Sequence, residues 1–457
     1  MAVSSLGAGS GVLTSTVIEQ LKAADTAAII TPLDNKISLQ KQKDSALSLL
    51  SSLLTTFKTS ANSLGDSALY QKRSVSGSTA SVSVTANAGV AIQSFSVSNT
   101  IMALKTVKES GQFSATTNSV ATGSGTMTLT VGGVAYAINY TSSTTLEDLK
   151  DSINDAAESS VKASTLQVGT NDYRLVLTSA QTGAAQTISL TDSVGGSLDT
   201  KLLAYNATTN PTGMQEIQAA RDASFKFNGI SMIRSTNTIT DIVSGMTLNL
   251  LQESGSANIS IAQDTQAISD NMTSFVENYN TLTSQLTSMT TTDLTAGKVG
   301  IFNGDNSINA ITREINQLVT SLSDSGLSLP QFGIDLSEKG TMSFNSSTFL
   351  TKFNAESSAA ETFFAGSTTV DGLFTSINTL LARYTDNNGI MSTLTNGSTT
   401  DLKALNTNKI RSQALLDARY DAMTARFIQY DAIMTKLTNQ FASLKTQINM
   451  AINGTNT

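Results

Sequence analysis

Apolar positions near the two ends of the chain recur with a helical period, whereas those in the middle alternate with the period of a strand. From Leu416 they run Leu416, Tyr420, Met423, Phe427, Tyr430, Met434, Leu437, Phe441, Leu444, Ile448 and Ala451, an unbroken alternation of four- and three-residue steps. This heptad seam predicts one long helix whose stripe must be covered by another helix. At the usual helical rise it is a rod about 54 Å long. Near the other end Val17, Ile18, Leu21, Ala24 and Ala28 predict a short amphipathic helix. Pro32 fits the first turn of a longer one, which continues through Leu47, Leu50, Leu54, Phe57, Ala61 and Leu64. Within it Ser38 to Asp44, SLQKQKD, is mostly polar and predicts a bend or a change of partner. Two seams lie inboard: Ile268, Met272, Phe275, Tyr279, Leu282, Leu286 and Met289, then Ile308, Ile311, Ile315, Leu318 and Leu322.

Between about Ser76 and Asp264 the period falls to two. Met127, Leu129 and Val131 alternate up to Gly132-Gly133, and Val134, Tyr136, Ile138 and Tyr140 alternate after it, which predicts a β-hairpin. Phe225 and Phe227 turn at Asn228-Gly229 into Ile230 and Met232, and GMTLNLL and ANISIA follow as strands. One short helix is predicted at Leu146, Leu149 and Ile153, opened by Thr144-x-x-Glu147 as a capping box. A small hairpin in the C-terminal flank sets Phe332, Ile334 and Leu336 against Met342 and Phe344 across Glu338-Lys339-Gly340.

The expected fold is therefore a multidomain α+β chain, with long coiled-coil-like helices from both termini forming a stalk and helical body and mainly-β domains inserted in the middle. The expected division is a terminal helical leg of residues 1–44 and 410–457, and a helical body of residues 45–75 and 265–409 with its small hairpin. An inserted β domain takes residues 76–88 and 197–264, and an outer β domain with one helix takes residues 89–196. The terminal seam packs either as a hairpin within the chain or between molecules, since nothing adjacent in sequence covers its two ends.

Composition removes most enzyme designs. Among the 457 residues there is no Cys, His or Trp, so thiol nucleophiles, zinc-thiolate sites, imidazole bases and Ser-His-Asp relays have no donors. Lys and Arg number 28 against 35 Asp and Glu, a net charge of −7, which is the wrong sign for gripping phosphate backbones or anionic lipid. Nucleic acid is not an expected partner. Ser and Thr together make up 127 residues while charged residues are 14%, so the surface is hydroxyl-rich where an ionic one is usual. No apolar run approaches the roughly 20 residues of a membrane span. The N-terminal MAVSSLGAGSG has neither a basic nor an apolar region, so no cleavable secretory signal is expected and membrane insertion is not.

The remaining motifs have ordinary explanations. Gly7 to Gly11, GAGSG, follows no strand and precedes no Lys-Ser/Thr pair, so it is a leader and not a phosphate loop. Asp386-Asn387-Asn388-Gly389 misplaces the glycine of a calcium loop and lacks its bidentate Glu, leaving a turn. Two carboxylates suffice for glycoside hydrolysis, but Glu147 and Asp151 sit four apart on one helix face, as on any solvated helix. No catalytic residue, metal ligand or cofactor is assigned.

A longer set of motifs runs through nearly the whole chain: the leader SSLGAGSG, VIEQL, PLDNKI, TTFK, TLEDLKDSINDA, NDYRLVLTSAQTG, FKFNGI, ITDIVSGMTLNL, FVENYNTL and FGIDLSEKGTMSFN. In this order they resemble the bacterial flagellar filament cap proteins, the type 2 hook-associated family. The stretch from INDA to TSAQTG is shared with other hook-associated and flagellin-like proteins, while the leader with PLDNK and the GMTLNL strand favour the cap. The resemblance implies a secreted, non-enzymatic protein that assembles as a homo-oligomeric ring at the distal tip of the filament. There it holds exported flagellin and promotes its polymerisation, so that assembly and motility depend on it. It also implies leg-like terminal helices that meet the filament end, and an export chaperone that binds the C-terminal helix. On this basis the expected contact residues are Leu416, Tyr420, Met423, Phe427, Tyr430, Met434, Leu437, Phe441, Leu444 and Ile448, with Leu47, Leu50, Leu54 and Phe57 from the N-terminal helix. The chain lacks the extra outer domains of larger family members, which weakens any implication of adhesion. A hook-filament junction protein or a flagellin-like filament component is the alternative, and it would polymerise helically instead of closing a ring. An adhesive or carbohydrate-active β module on a stalk would need a carboxylate pair or an aromatic platform, and aromatics are 5%.

Overall fold

The computed structural model describes residues 15–193, 195–293, 297–321 and 326–453. The glycine-rich leader and Leu322 of the second inboard seam lie outside the described residues. In chain order the first helix α1 spans Ser15–Gly65 and the short α2 spans Ser67–Gln71. The strands β1 (Arg73–Ser76), β2 (Val82–Ala86), β3 (Gln93–Ile101), β4 (Val107–Glu109), β5 (Gly125–Val131) and β6 (Val134–Tyr140) lead to α3 (Leu146–Ala157). Then come β7 (Val161–Gly169), β8 (Asp172–Ser179), β9 (Ile188–Asp192), β10 (Gln215–Gln218), β11 (Ala223–Phe227), β12 (Ile230–Arg234), β13 (Thr238–Ile239), β14 (Met246–Leu250) and β15 (Ala257–Gln263). The C-terminal flank holds α4 (Thr265–Thr290), β16 (Thr292–Asp293), β17 (Lys298–Val299), α5 (Asn306–Val319), β18 (Ile334–Leu336), β19 (Met342–Phe344), α6 (Ser346–Ala355), α7 (Ser357–Ala365), α8 (Leu373–Thr385) and α9 (Ile390–Asn453). No described helix is long and apolar enough to cross a membrane.

The chain folds as two compact units, residues 1–67 with 267–457 and residues 68–266. The second is the β insert, and it contains two cores. In the first, the antiparallel sheet β1-β15-β3-β11-β12 faces the smaller sheet β13-β14-β2, burying Phe95, Val97, Phe225, Ile259, Ile261 and Leu248 between them. In the second, β10-β4-β8-β7 and β6-β5-β9 enclose Leu129, Ile138, Leu175 and Leu177 together with the apolar face of α3. Both predicted hairpins form with two-residue turns. Gly132 and Gly133 take φ of 57° and 83° between Val131 and Val134, and Asn228 and Gly229 take 49° and 81° between Phe227 and Ile230. Successive positive φ values give the turn whose twist matches that of the strands, and Gly and Asn tolerate them.

Three local expectations shift. The capping box of α3 is one residue later than predicted: Thr145 is the N-cap, and its side chain and that of Asp148 reciprocally bond the two backbone N–H groups. Thr144 is engaged instead by the preceding turn, its hydroxyl accepting from the Thr141 N–H at 2.9 Å. Phe332 is not in the small hairpin, where Ile334 faces Phe344 and Leu336 faces Met342. It ends a 3-10 turn, Leu329–Phe332, and Gly333 at φ 73° swings the chain into β18. The division of the β insert also moves. β3 lies at the centre of the five-stranded sheet because Phe95 and Val97 complete its core beside Phe227, so the chain passes between the two cores at Leu104 and Arg221, which form a bridge. Residues 89–101 therefore belong with the first core, and 197–218 with the second.

The N-terminal flank is one helix where two were expected. Pro32 lies inside α1, which costs it a backbone bond to Ala28. Both residues are on the exposed face, so the carbonyl left over meets water, while Ile30 and Ile37 on the other face are buried.

Candidate interaction surface

The helical unit is built on the antiparallel pairing of α1 with α9, and the two halves of α1 have different partners. Its second half enters an aromatic core. Leu47, Leu50, Leu54 and Phe57 are buried, with the Phe57 ring 5.0 Å from that of Phe275 and Phe275 in turn 4.9 Å from Phe374. Phe364 stands 5.5 Å from Phe374 and 4.7 Å from Phe332, so the cluster joins α1, α4, α8, α7 and the 3-10 turn. These four N-terminal candidates thus serve the chain's own core and not an outside partner. A heptad stripe records only that a face is covered, and here the covering elements come from the same chain.

The first half of α1 lies against α9. Ile18 and Ile30 form a buried cluster with Leu416 and Tyr420, and Met423 and Phe427 pack on it partly buried. Ile30 and Ile37 are both buried and stand one heptad apart, a spacing visible in the sequence. Around this thin apolar contact runs a set of ion pairs: Lys22 to Asp417 at 2.7 Å, Arg419 to Asp25 at 3.2 Å and Lys409 to Asp34 at 2.6 Å. The Tyr420 hydroxyl also donates to Asp25, at 2.8 Å. The hydrogen bond to Asp417 holds Lys22 above its ordinary pKa, and Lys22 with Gln413 holds Asp417 below the usual carboxylate range. Desolvation, then the bond to Asp25, pushes Tyr420 up. In the polar stretch the Gln40 amide donates to Ser398 Oγ at 2.6 Å, and that hydroxyl donates on to Asp44. The stretch is a change of partner within a continuous helix.

Beyond Phe427 the described residues leave the apolar side chains of the seam uncovered. Leu416 and Tyr420 are 3% and 4% exposed, whereas Tyr430 and Phe441 are 61% and 63% exposed. Met434, Leu437, Leu444 and Ile448 are exposed on the same stripe. Ile433 and Met450 widen it, and Ile433 was legible as the i+3 neighbour of Tyr430. The ten C-terminal candidates are thus split: Leu416 to Phe427 are covered within the chain, and Tyr430 to Ile448 are open along successive helical turns. An apolar stripe of this length on one helix is the shape that an amphipathic partner helix or a groove covers.

The other chemical candidates resolve into structural contacts. Glu147 and Asp151 both engage Lys150, and Glu147 also accepts from the Thr165 hydroxyl at 3.1 Å. Asp386 takes Lys58 at 2.8 Å, and Gly389 closes the turn into α9 by donating its N–H to the Asp386 carbonyl at 2.7 Å. A concavity of about 830 Å³ between α4, α5 and the β18-β19 hairpin is walled mostly by hydroxyls and amides, with Lys298, Glu338 and Lys339 also lining it. At its wall the Tyr279 hydroxyl donates to Asn316 Oδ1 at 2.7 Å, and burial pushes its pKa up to about 12, so it carries no proton traffic near neutrality.

Comparison with known proteins places this geometry among relatives. A family model described as the flagellar hook-associated protein 2 N-terminus matches residues 10–105, and one described as its C-terminus matches residues 220–439. A flagellin hook IN motif matches residues 126–181, which run from β5 to β8. The chain is 31% identical over 448 residues to flagellar hook-associated protein 2 of Campylobacter jejuni, covering 85% of this chain and 68% of that protein. It is 28% identical over 460 residues to the protein of the same name from Escherichia coli K12, covering 97% of each. The crystal structure of the D1-D2-D3 domains of the flagellar cap protein FliD from Escherichia coli superposes with a TM-score of 0.60 at 25% identity, covering 78% of this chain and 99% of that one.

Proposed function

From the premise that this chain belongs to the flagellar hook-associated protein 2 family, we propose that it is the cap of the bacterial flagellar filament. It acts outside the cell at the filament tip, and its role is structural. Several copies assemble there as a ring that retains exported flagellin and promotes its polymerisation. The observation that carries this reading is the open half of the α9 seam, Tyr430 to Ile448, whose apolar side chains no described element of the chain covers. These residues meet the filament end in the assembled cap, and an export chaperone before assembly. That chaperone would shield the stripe on the way to the flagellar export apparatus, where an exposed apolar surface invites aggregation.

The test is complementation of a strain lacking its cap gene. The wild-type chain is expected to restore filaments and swimming, and Phe441→Asp to leave unpolymerised flagellin in the medium. Normal filaments from Phe441→Asp would remove the seam from the mechanism. Negative-stain electron microscopy of the purified protein separates a closed ring from the helical polymer expected of a junction or filament component.

A further inference from the structure

The first half of α1 is fastened to α9 by different forces from the second. Between Ser15 and Asp44 the apolar contact with α9 centres on Ile18 and Ile30 against Leu416 and Tyr420. Lys22–Asp417, Asp25–Arg419 and Asp34–Lys409 flank it, with side chains 34–62% exposed. From Leu47 onward the helix is locked into the phenylalanine cluster, with Lys58 to Asp386 as one ion pair beside a wholly buried apolar core. The ion pairs also set the register. A slip of one heptad would put Lys22 opposite Ile410 or Thr424 and Asp34 opposite Leu402 or Leu416, and would leave Asp25 opposite Ser412 or Arg426, so only the observed register makes all three pairs.

We propose that the segment from Ser15 to Asp44 is an ionic latch over the upper part of the α9 seam, held closed by these three ion pairs and released by salt. When it opens, Leu416, Tyr420, Met423 and Phe427 join the already exposed Tyr430 to Ile448 as one continuous apolar stripe, roughly doubling the length available to a partner helix. The physical ground is the difference in screening. Exposed charge pairs weaken as the Debye length falls from about 10 Å at 0.1 M salt to about 3 Å at 1 M, whereas burial of Phe57 and its neighbours does not. The hinge falls at the hydrogen-bonded crossing of Gln40 and Asp44 on Ser398, between the two kinds of contact. The latch concerns two helices of one chain, so it stands or falls independently of what the exposed seam binds.

The chain has no cysteine, so spin labels can be placed cleanly. A nitroxide pair at Glu19→Cys and Ala422→Cys, both exposed positions, reads the latch, and a pair at Thr56→Cys and Asn388→Cys reads the locked half. Between about 0.1 M and about 1 M NaCl the separated fraction of the first pair is expected to rise about tenfold, while the second pair is unchanged. At the lower salt Lys22→Asp is expected to open the latch, and adding Asp417→Lys to close it again by restoring the pair with reversed charges. An unchanged distance across the salt range, parallel separation of the control pair, or failure of the reversed pair to rescue would each overturn the latch.

Discussion

Tyr279 and Tyr384 show how burial and a single acceptor settle the chemistry of a side chain. Tyr384 donates to Glu314 at 2.9 Å, and desolvation, with the Glu314 bond second, pushes it up to about 12; burial alone does the same for Tyr279. Each folded value lies above the ordinary phenol value of 10, so the folded chain holds these protons more tightly than the unfolded one. The stability this contributes is present in full below about pH 10 and is lost as pH rises toward 12. Ultraviolet titration of the native protein is expected to show two tyrosines ionising last, with the helical signal falling as they do. Phe57 is wholly buried against Phe275 and Tyr279, and Phe57→Ala is expected to destabilise the helical unit by about 3–5 kcal/mol in denaturant melts. At the head of α3, Thr145→Ala removes the side chain that receives the Asp148 N–H and is expected to cost about 1 kcal/mol.

At the scale of the element, α9 is one helix with two environments, so the same substitution has opposite signatures along it. Phe427→Asp sets a carboxylate into the cluster of Ile18, Ile30, Leu416 and Tyr420, and is expected to loosen α1 from α9 and lower the melting temperature of the isolated protein. Phe441→Asp changes a side chain that already faces water, and is expected to leave that temperature unmoved while capping fails. The α1–α9 pair also has a pH window. Asp417 titrates below its ordinary value in the folded chain, so its contribution is present above about pH 4 and lost as pH falls below that. Lys22 titrates above its ordinary value, so its contribution holds up to about pH 10 and is lost beyond. The spin-label pair on Glu19 and Ala422 is expected to separate at both extremes and stay close between them.

Across the whole molecule, each unit owns its core, and the chain enters and leaves the β insert at adjacent points, where the Asp264 N–H donates to the Lys72 carbonyl at 3.1 Å. Excising residues 68–266 and joining the flanks by a short linker is therefore expected to preserve the helical circular dichroism of the remaining unit while weakening ring assembly. Truncation before Ile410 is different. It removes Leu416 and Tyr420, which cover Ile18 and Ile30, so the loss of helical signal is expected to exceed that of the deleted segment as the first half of α1 frays. A truncated chain that keeps all of its α1 signal would show that α1 stands without α9.

Periodicity alone carried the plan of this protein: helical flanks, an alternating middle, hairpins at Gly132-Gly133 and Asn228-Gly229, and a seam from Leu416 to Ile448. These are local properties, because the spacing of apolar residues selects the element and a glycine or asparagine selects the turn. The partner of each apolar face was not local. The stripes of Leu47 to Phe57 and of Tyr430 to Ile448 look alike in sequence, yet one is sealed by Phe275 and Phe374 from distant helices and the other is left open. In the same way β3 resembles its neighbours along the chain and finds its sheet through β15 and β11, more than a hundred residues away. A period says that a face will be buried. Which face meets which depends on packing between segments remote in sequence, and that is what divides the terminal helices into core, latch and open seam.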